Sequence, residues 1–129
     1  MRAMDSPPHA ISVAVATRYI EDSSQPDAGR YVFAYTVTLR NTGRVAARLL
    51  RRHWVVTDAI GHVEEVEGEG VIGEQPRIAP GERYQYTSGA VLATPVARME
   101  GRYQMLGDDG HAFEAPVPAF ALSIPRVLH

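Results

Sequence analysis

Cysteine and lysine are both missing from this chain of 129 residues. Without a thiol there is no disulfide, no thiolate metal centre and no cysteine nucleophile. Without an ε-amine there is no Schiff-base lysine and no lysine of the kind that P-loops place on phosphates. All 13 basic residues are arginine. Long apolar runs are missing too: no stretch approaches the ~20 residues of a membrane-spanning helix. The segment Met1 to Ala10 lacks the apolar core of a secretory signal. These absences lead to the expectation of a soluble, cytoplasmic protein. Excess charge of one sign is also lacking. Thirteen basic against 15 acidic residues leave a formal net charge of −2, which argues against nucleic acid as a partner.

What is present is period-two alternation. Ile11, Val13 and Val15 alternate with Ser12, Ala14 and Ala16. From Tyr31 to Leu39 the odd positions are Tyr31, Phe33, Tyr35, Val37 and Leu39, with Thr36, Thr38 and Arg40 opposite. Such spacing makes a strand with one oily and one wet face. Further strands are predicted at about 48–57, 62–66, 82–88, 98–106 and 112–124. In the third, Leu50, Trp54 and Val56 share a face, as do Arg48 and Arg52, with Arg51 and His53 on the other. Asn41-Thr42-Gly43 and Gly107-Asp108-Asp109-Gly110 are turn signals. No persistent 3.6-residue stripe appears. About seven strands predict one all-β domain, a β-sandwich of immunoglobulin or fibronectin-III type. Residues 1–9 and 126–129 are expected to be flexible ends. Pro116 and Pro118, two apart, strip two amides from one side of the last strand. That segment must be an edge, a bulge or a switch between sheets.

Several residues are candidates for function. Gly68-x-Gly70-x-x-Gly73 matches a dinucleotide-binding pattern, but Pro76 and Pro80 block the helix that such a motif needs. What remains for Gly68, Gly70 and Gly73 is a structural loop, or a loop whose amides cradle phosphate, pyrophosphate or a nucleotide. His53, Asp58 and His62 flank one turn and form a candidate divalent-metal set for Co²⁺ or Mg²⁺. His111 beside Asp108 and Asp109 is a second. Glu64, Glu65, Glu67 and Glu69 could attract Mg²⁺, although charge runs are usually solvated faces. Arg77, in the 68–81 loop, joins Pro116 and Pro118 as a candidate surface for an unidentified protein partner. A monomer or weak dimer is expected. No Gly-x-Ser-x-Gly elbow accompanies Ser88-Gly89, so no serine hydrolase is expected.

The run from Glu67 to Gly89, together with Arg52-His53-Trp54, Asp58, Gly61 and Met99-Glu100-Gly101-Arg102-Tyr103-Gln104-Met105, resembles the ApaG (CorD) family from about Ile11 to Ile124. The resemblance implies a fibronectin-III-like sandwich and a link to cobalt tolerance and magnesium efflux. It also implies a non-enzymatic interaction or regulatory module, and it supplies no catalytic residues.

Overall fold

Each alternating strand has one oily face, which a second sheet must cover. In the computed structural model, which describes residues 6–125, two sheets cover one another. The strands are β1 (Ile11–Tyr19), β2 (Tyr31–Asn41), β3 (Ala47–Asp58), β4 (Val63–Glu69), β5 (Arg77–Ile78), β6 (Arg83–Leu92), β7 (Val96–Gly107) and β8 (Ala112–Ser123). One sheet runs β1-β2-β6; the other runs β4-β3-β7-β8, with β5 attached to β3. All pairings are antiparallel. Among the described residues the only helical elements are two 3₁₀ turns, Glu21–Ser23 and Pro26–Ala28.

The expected sandwich is therefore present, with eight strands instead of about seven. The extra strand, β5, has two residues between prolines and is too short to show a period. The core is drawn from the predicted faces. Phe33, Tyr35, Val37 and Leu39 from β2 meet Trp54 and Val56 from β3 and Met99, Tyr103 and Met105 from β7. Trp54 is ringed edge-on by Tyr35, Tyr103 and Phe120 at 5.6, 6.0 and 5.9 Å. Such aromatic edges are favourable beyond the area they bury. Its cross-strand neighbour is Gly101. A Cβ there would meet the His53 carbonyl and lie 2.8 Å from Trp54 Cε3, so glycine is the residue that lets the indole lie flat on β7.

One parity differs from expectation. A bulge between Leu49 and Arg51 shifts the β3 register against β7. Leu49, not Leu50, is fully buried. Arg48 and Arg51 pair with outward-facing Leu106 and Gln104, whereas Arg52 pairs with buried Tyr103. Arg48 and Arg51 therefore share the outer face and Arg52 turns inward. An extra residue in one strand reverses every face beyond it. The prolines behave as predicted. Pro116 and Pro118 lie on β8, at a sheet edge, and the β7–β8 register breaks at Pro118 and Ala119.

Ser6 to Ala10, which include part of the expected N-terminal end, make contacts with the body of the fold. The Pro8 carbonyl accepts the amides of Arg44 and Val45, and the Ala10 carbonyl those of Thr42 and Gly43. His9 Nε2 lies 2.8 Å from Asp109 Oδ2, and its ring stacks on His111 at 4.2 Å. Residues 126–129, the other expected flexible end, lie outside the described residues.

Candidate functional site

The two sheets are closed along one side and open along the other. β1 packs on β8 across the sandwich. On the opposite side β4 and β6 are each the last strand of their sheet, and neither pairs with the other. One end of that gap is plugged by the segment after β4. Val71 and Glu74 exchange amide bonds of 2.8 and 2.9 Å around Ile72 and Gly73, whose φ values are 42° and 80°. Two left-handed residues in a row form the tight turn that matches strand twist. The plug drives Val71 into the core with no exposed surface. Tyr84 on β6 donates its hydroxyl to Glu74 Oε2 at 3.2 Å.

Beyond the plug the gap stays open as a cleft of about 260 Å³. Tyr35, Trp54 and Met99 form its floor, Glu64 and Val66 one wall, and Ser88 to Leu92 the other. A second hollow, of about 190 Å³, shares Val56, Glu64, Val91 and Leu92 with it and carries the groove on to His62 and Ala93. Val66 and Val91 are 42% and 55% exposed, so the apolar rim faces solvent.

Arg52 closes the plugged end. Its guanidinium occupies the space that a Cβ on Gly68 would need, 2.8 Å from Nη1 and Nη2. Nη1 donates to the carbonyls of Glu69 and Gly70 at 3.1 and 2.9 Å. The hydroxyls of Tyr86 (β6) and Tyr103 (β7) meet at 2.5 Å inside the core and tie the two sheets together. Burial pushes the Tyr86 phenol up to about 12. Burial, reinforced by Tyr86, raises that of Tyr103 as well. The chain thus keeps both phenols neutral beside a cation that it spends on backbone carbonyls.

The glycine triad is divided by this arrangement. Gly68 is a strand residue under Arg52. Gly70, at φ 59°, donates its amide to Leu50 O at 2.7 Å, and the amides of Val71 and Glu74 are used within the turn. The side chains beside the adjoining hollow are Glu69, Glu74 and Gln75. Few free donors and two carboxylates face any phosphate there.

The proposed metal set is not brought together. His53 stands on the outer face of the β4-β3-β7-β8 sheet, its Nε2 3.5 Å from Glu67 Oε1 and 3.6 Å from Glu65 Oε1. Asp58 Oδ1 accepts the amides of Ile60 and His62 at 3.1 and 2.9 Å, which commits it to the turn. His111 stacks on His9, while Asp108 is paired with Arg77 through Nε and Nη2. Among the described residues no group of three or more His, Asp or Glu side chains could hold a metal ion. Of the proposed partner surface, Arg77 is thus tied to Asp108, and Pro116 and Pro118 lie on β8, away from the cleft. The residues that sequence reasoning missed are Val66 and Val91, because an edge strand reads like any other.

The sequence model of the ApaG domain matches residues 21–107. The chain belongs to the ApaG family. It is 59% identical over 121 residues to Protein ApaG of Azoarcus sp. strain BH72, covering 94% of this chain and 95% of that one. It is 58% identical to Protein ApaG of Stenotrophomonas maltophilia, covering 97% and 98%. A crystal structure of a Bordetella pertussis protein named ApaA superposes with a TM-score of 0.92 at 45% identity, covering 95% of this chain and 99% of that one. The ApaG match spans the plug, Arg52 and both walls of the cleft, so the open side lies within the family's domain. Among the described residues no helix is long and apolar enough to cross a membrane.

Proposed function

We propose that this ApaG-family chain is a non-enzymatic interaction module that receives a partner protein along the open β4–β6 side, and that any link to divalent-cation homeostasis runs through that partner. The observation that carries the reading is the groove itself: an apolar floor and an exposed valine rim between two unpaired strand edges. Unpaired edges are the usual places where sandwiches accept another chain. The chemistry of the cleft favours binding over catalysis. Its hydroxyls, on Ser88 and Tyr35, share the cleft lining with one carboxylate, Glu64, and no histidine, while His62 and Asp58 of the adjoining hollow lie at the turn that Asp58 holds. Nucleophilic catalysis needs a base beside the nucleophile and a third group to orient that base.

A photo-crosslinking residue such as p-benzoylphenylalanine at Val91, on the cleft rim, tests this in cells. Arg18, exposed on the outer face of the β1-β2-β6 sheet, is the control position. Discrete protein adducts are expected from position 91 and not from position 18. The same adducts from both positions, or none from 91, would refute the reading.

A further inference from the structure

We infer that the occupant of the open side is an extended basic strand, alternating apolar and Lys or Arg residues, which adds to the free edge of β4. This rests on the interaction reading above and specifies the partner's chemistry.

Four observations converge. First, β4 is the end strand of its sheet and almost fully exposed along its length. Among the described residues no strand pairs with its outward edge, and apart from the Glu69 carbonyl, which Arg52 takes, that edge can accept an added strand, which gives affinity without reading sequence. Second, the two faces of β4 differ. Val66 and Glu64 pair with Trp54 and Val56 and so look into the cleft, whereas Glu65, Glu67 and Glu69 pair with Val55, His53 and Arg51 on the outer face. A strand laid beside β4 would send alternate side chains into the groove and the others into register with the outer carboxylates. Directly opposed opposite charges stabilise such a ladder.

Third, the carboxylates are in surplus. Glu65 and Glu67 both reach only His53, and neither Glu64 nor Glu69 forms an ion pair among the described residues. β4 itself carries no basic residue. Fourth, the indole N–H of Trp54 has no acceptor among the described residues although the residue is 2% exposed, and Trp54 lines the cleft. A buried donor without a partner is costly, which makes this N–H a sensitive reporter of a chain seated over the cleft. A second copy of this chain is a poorer occupant of this edge, because β4 against β4 would set glutamates beside glutamates.

The test is a titration of the ¹⁵N-labelled protein with two blocked heptapeptides, alternating Lys-Val and alternating Glu-Val. Amide shifts are read along residues 63–69 and at the Trp54 indole N–H. The basic peptide is expected to shift both sets and to bind at least about tenfold more tightly than the acidic one, with the preference fading as salt rises. Combining Glu64→Gln, Glu65→Gln, Glu67→Gln and Glu69→Gln should weaken the basic peptide by a similar factor. Val66→Lys, at an exposed position, should abolish binding while leaving the circular dichroism spectrum unchanged. Equal binding of the two peptides, no binding, shifts confined to other strands, or full affinity in the four-glutamine variant would each overturn the inference. So would concentration-dependent dimerisation that moves the same β4 amides without peptide. Crosslinks from position 91 with no basic-peptide preference would discard this partner chemistry and leave the interaction reading standing; loss of both would discard both.

Discussion

Tyr86 and Tyr103 concentrate the chemistry of the core in one contact. Two buried hydroxyls share a single hydrogen bond across the sandwich. Replacing either one with phenylalanine strands the other, whereas replacing both leaves two apolar rings of similar shape. Tyr86→Phe and Tyr103→Phe should each cost about 1–2 kcal/mol, and the double variant clearly less than the sum. Urea denaturation of the four proteins measures this cycle. The pair also sets an alkaline limit. Tyr86 is raised to about 12 from an ordinary value of 10.0, so the folded state holds its proton longer than the unfolded chain does. Its stabilising contribution is complete below pH 10.0 and is lost as pH rises through about 12. Absorbance of the phenolates against pH, run beside denaturant midpoints, should show stability falling as these two rings ionise. Early ionisation at ordinary phenol pH, with no loss of stability, would contradict the buried bridge.

The plug after β4 is the element that decides how much of the open side remains. Its conformation depends on Gly70 more than on Gly73, although both have positive φ. A Cβ at Gly73 meets nothing within 4 Å, whereas one at Gly70 would strike the Glu74 carbonyl. Gly73→Ala should therefore cost only the left-handed penalty, about 1 kcal/mol. Gly70→Ala should cost that plus the displacement of the turn, in total about 2–4 kcal/mol. Denaturant midpoints separate the two, and Trp54 emission should move in the Gly70 variant alone, because only that change loosens the wall near Arg52. Equal effects would mean that the plug yields freely. The same element bears on phosphate binding, since the amides it would offer are largely turned inward to build it.

At the scale of the whole molecule, the decisive property is that contacts are made between distant parts of the chain. Thr36 and Thr87, hydroxyls 2.8 Å apart on paired strands, are separated by 51 positions. β3 reaches β7 across β4, β5 and β6. Loop closure must precede such pairings, and sandwiches of this kind fold slowly for that reason. Refolding followed by Trp54 fluorescence should be a single exponential of roughly milliseconds to seconds. Trp54 reports on the whole core because three aromatic residues from β2, β7 and β8 surround it. A microsecond phase carrying all the amplitude would refute this topological reading.

The order of apolar and polar residues was enough to determine the architecture. Alternation in 31–39 places Phe33, Tyr35, Val37 and Leu39 in the core without any coordinates, because a strand can turn only every second side chain inward. Pro116 and Pro118 announced an edge, a bulge or a switch between sheets, because a missing amide cannot sit inside a ladder; which of these it is took the coordinates to decide. The signature around Trp54, the glycine run and Tyr103 was likewise legible as that of a family. Tertiary structure decided the rest. The β3 bulge turned Leu49 inward in place of Leu50 and sent Arg48 outward, away from the face of Arg52 and Trp54, a one-residue change that periodicity does not record. It also spread His53, Asp58 and His62 over a sheet face and a turn, closed the glycine run into a plug, and docked His9 on Asp109. The open cleft belongs to no segment of the chain. It exists because two sheets of unequal size meet along one side and part along the other, and only the assembled pair defines that gap.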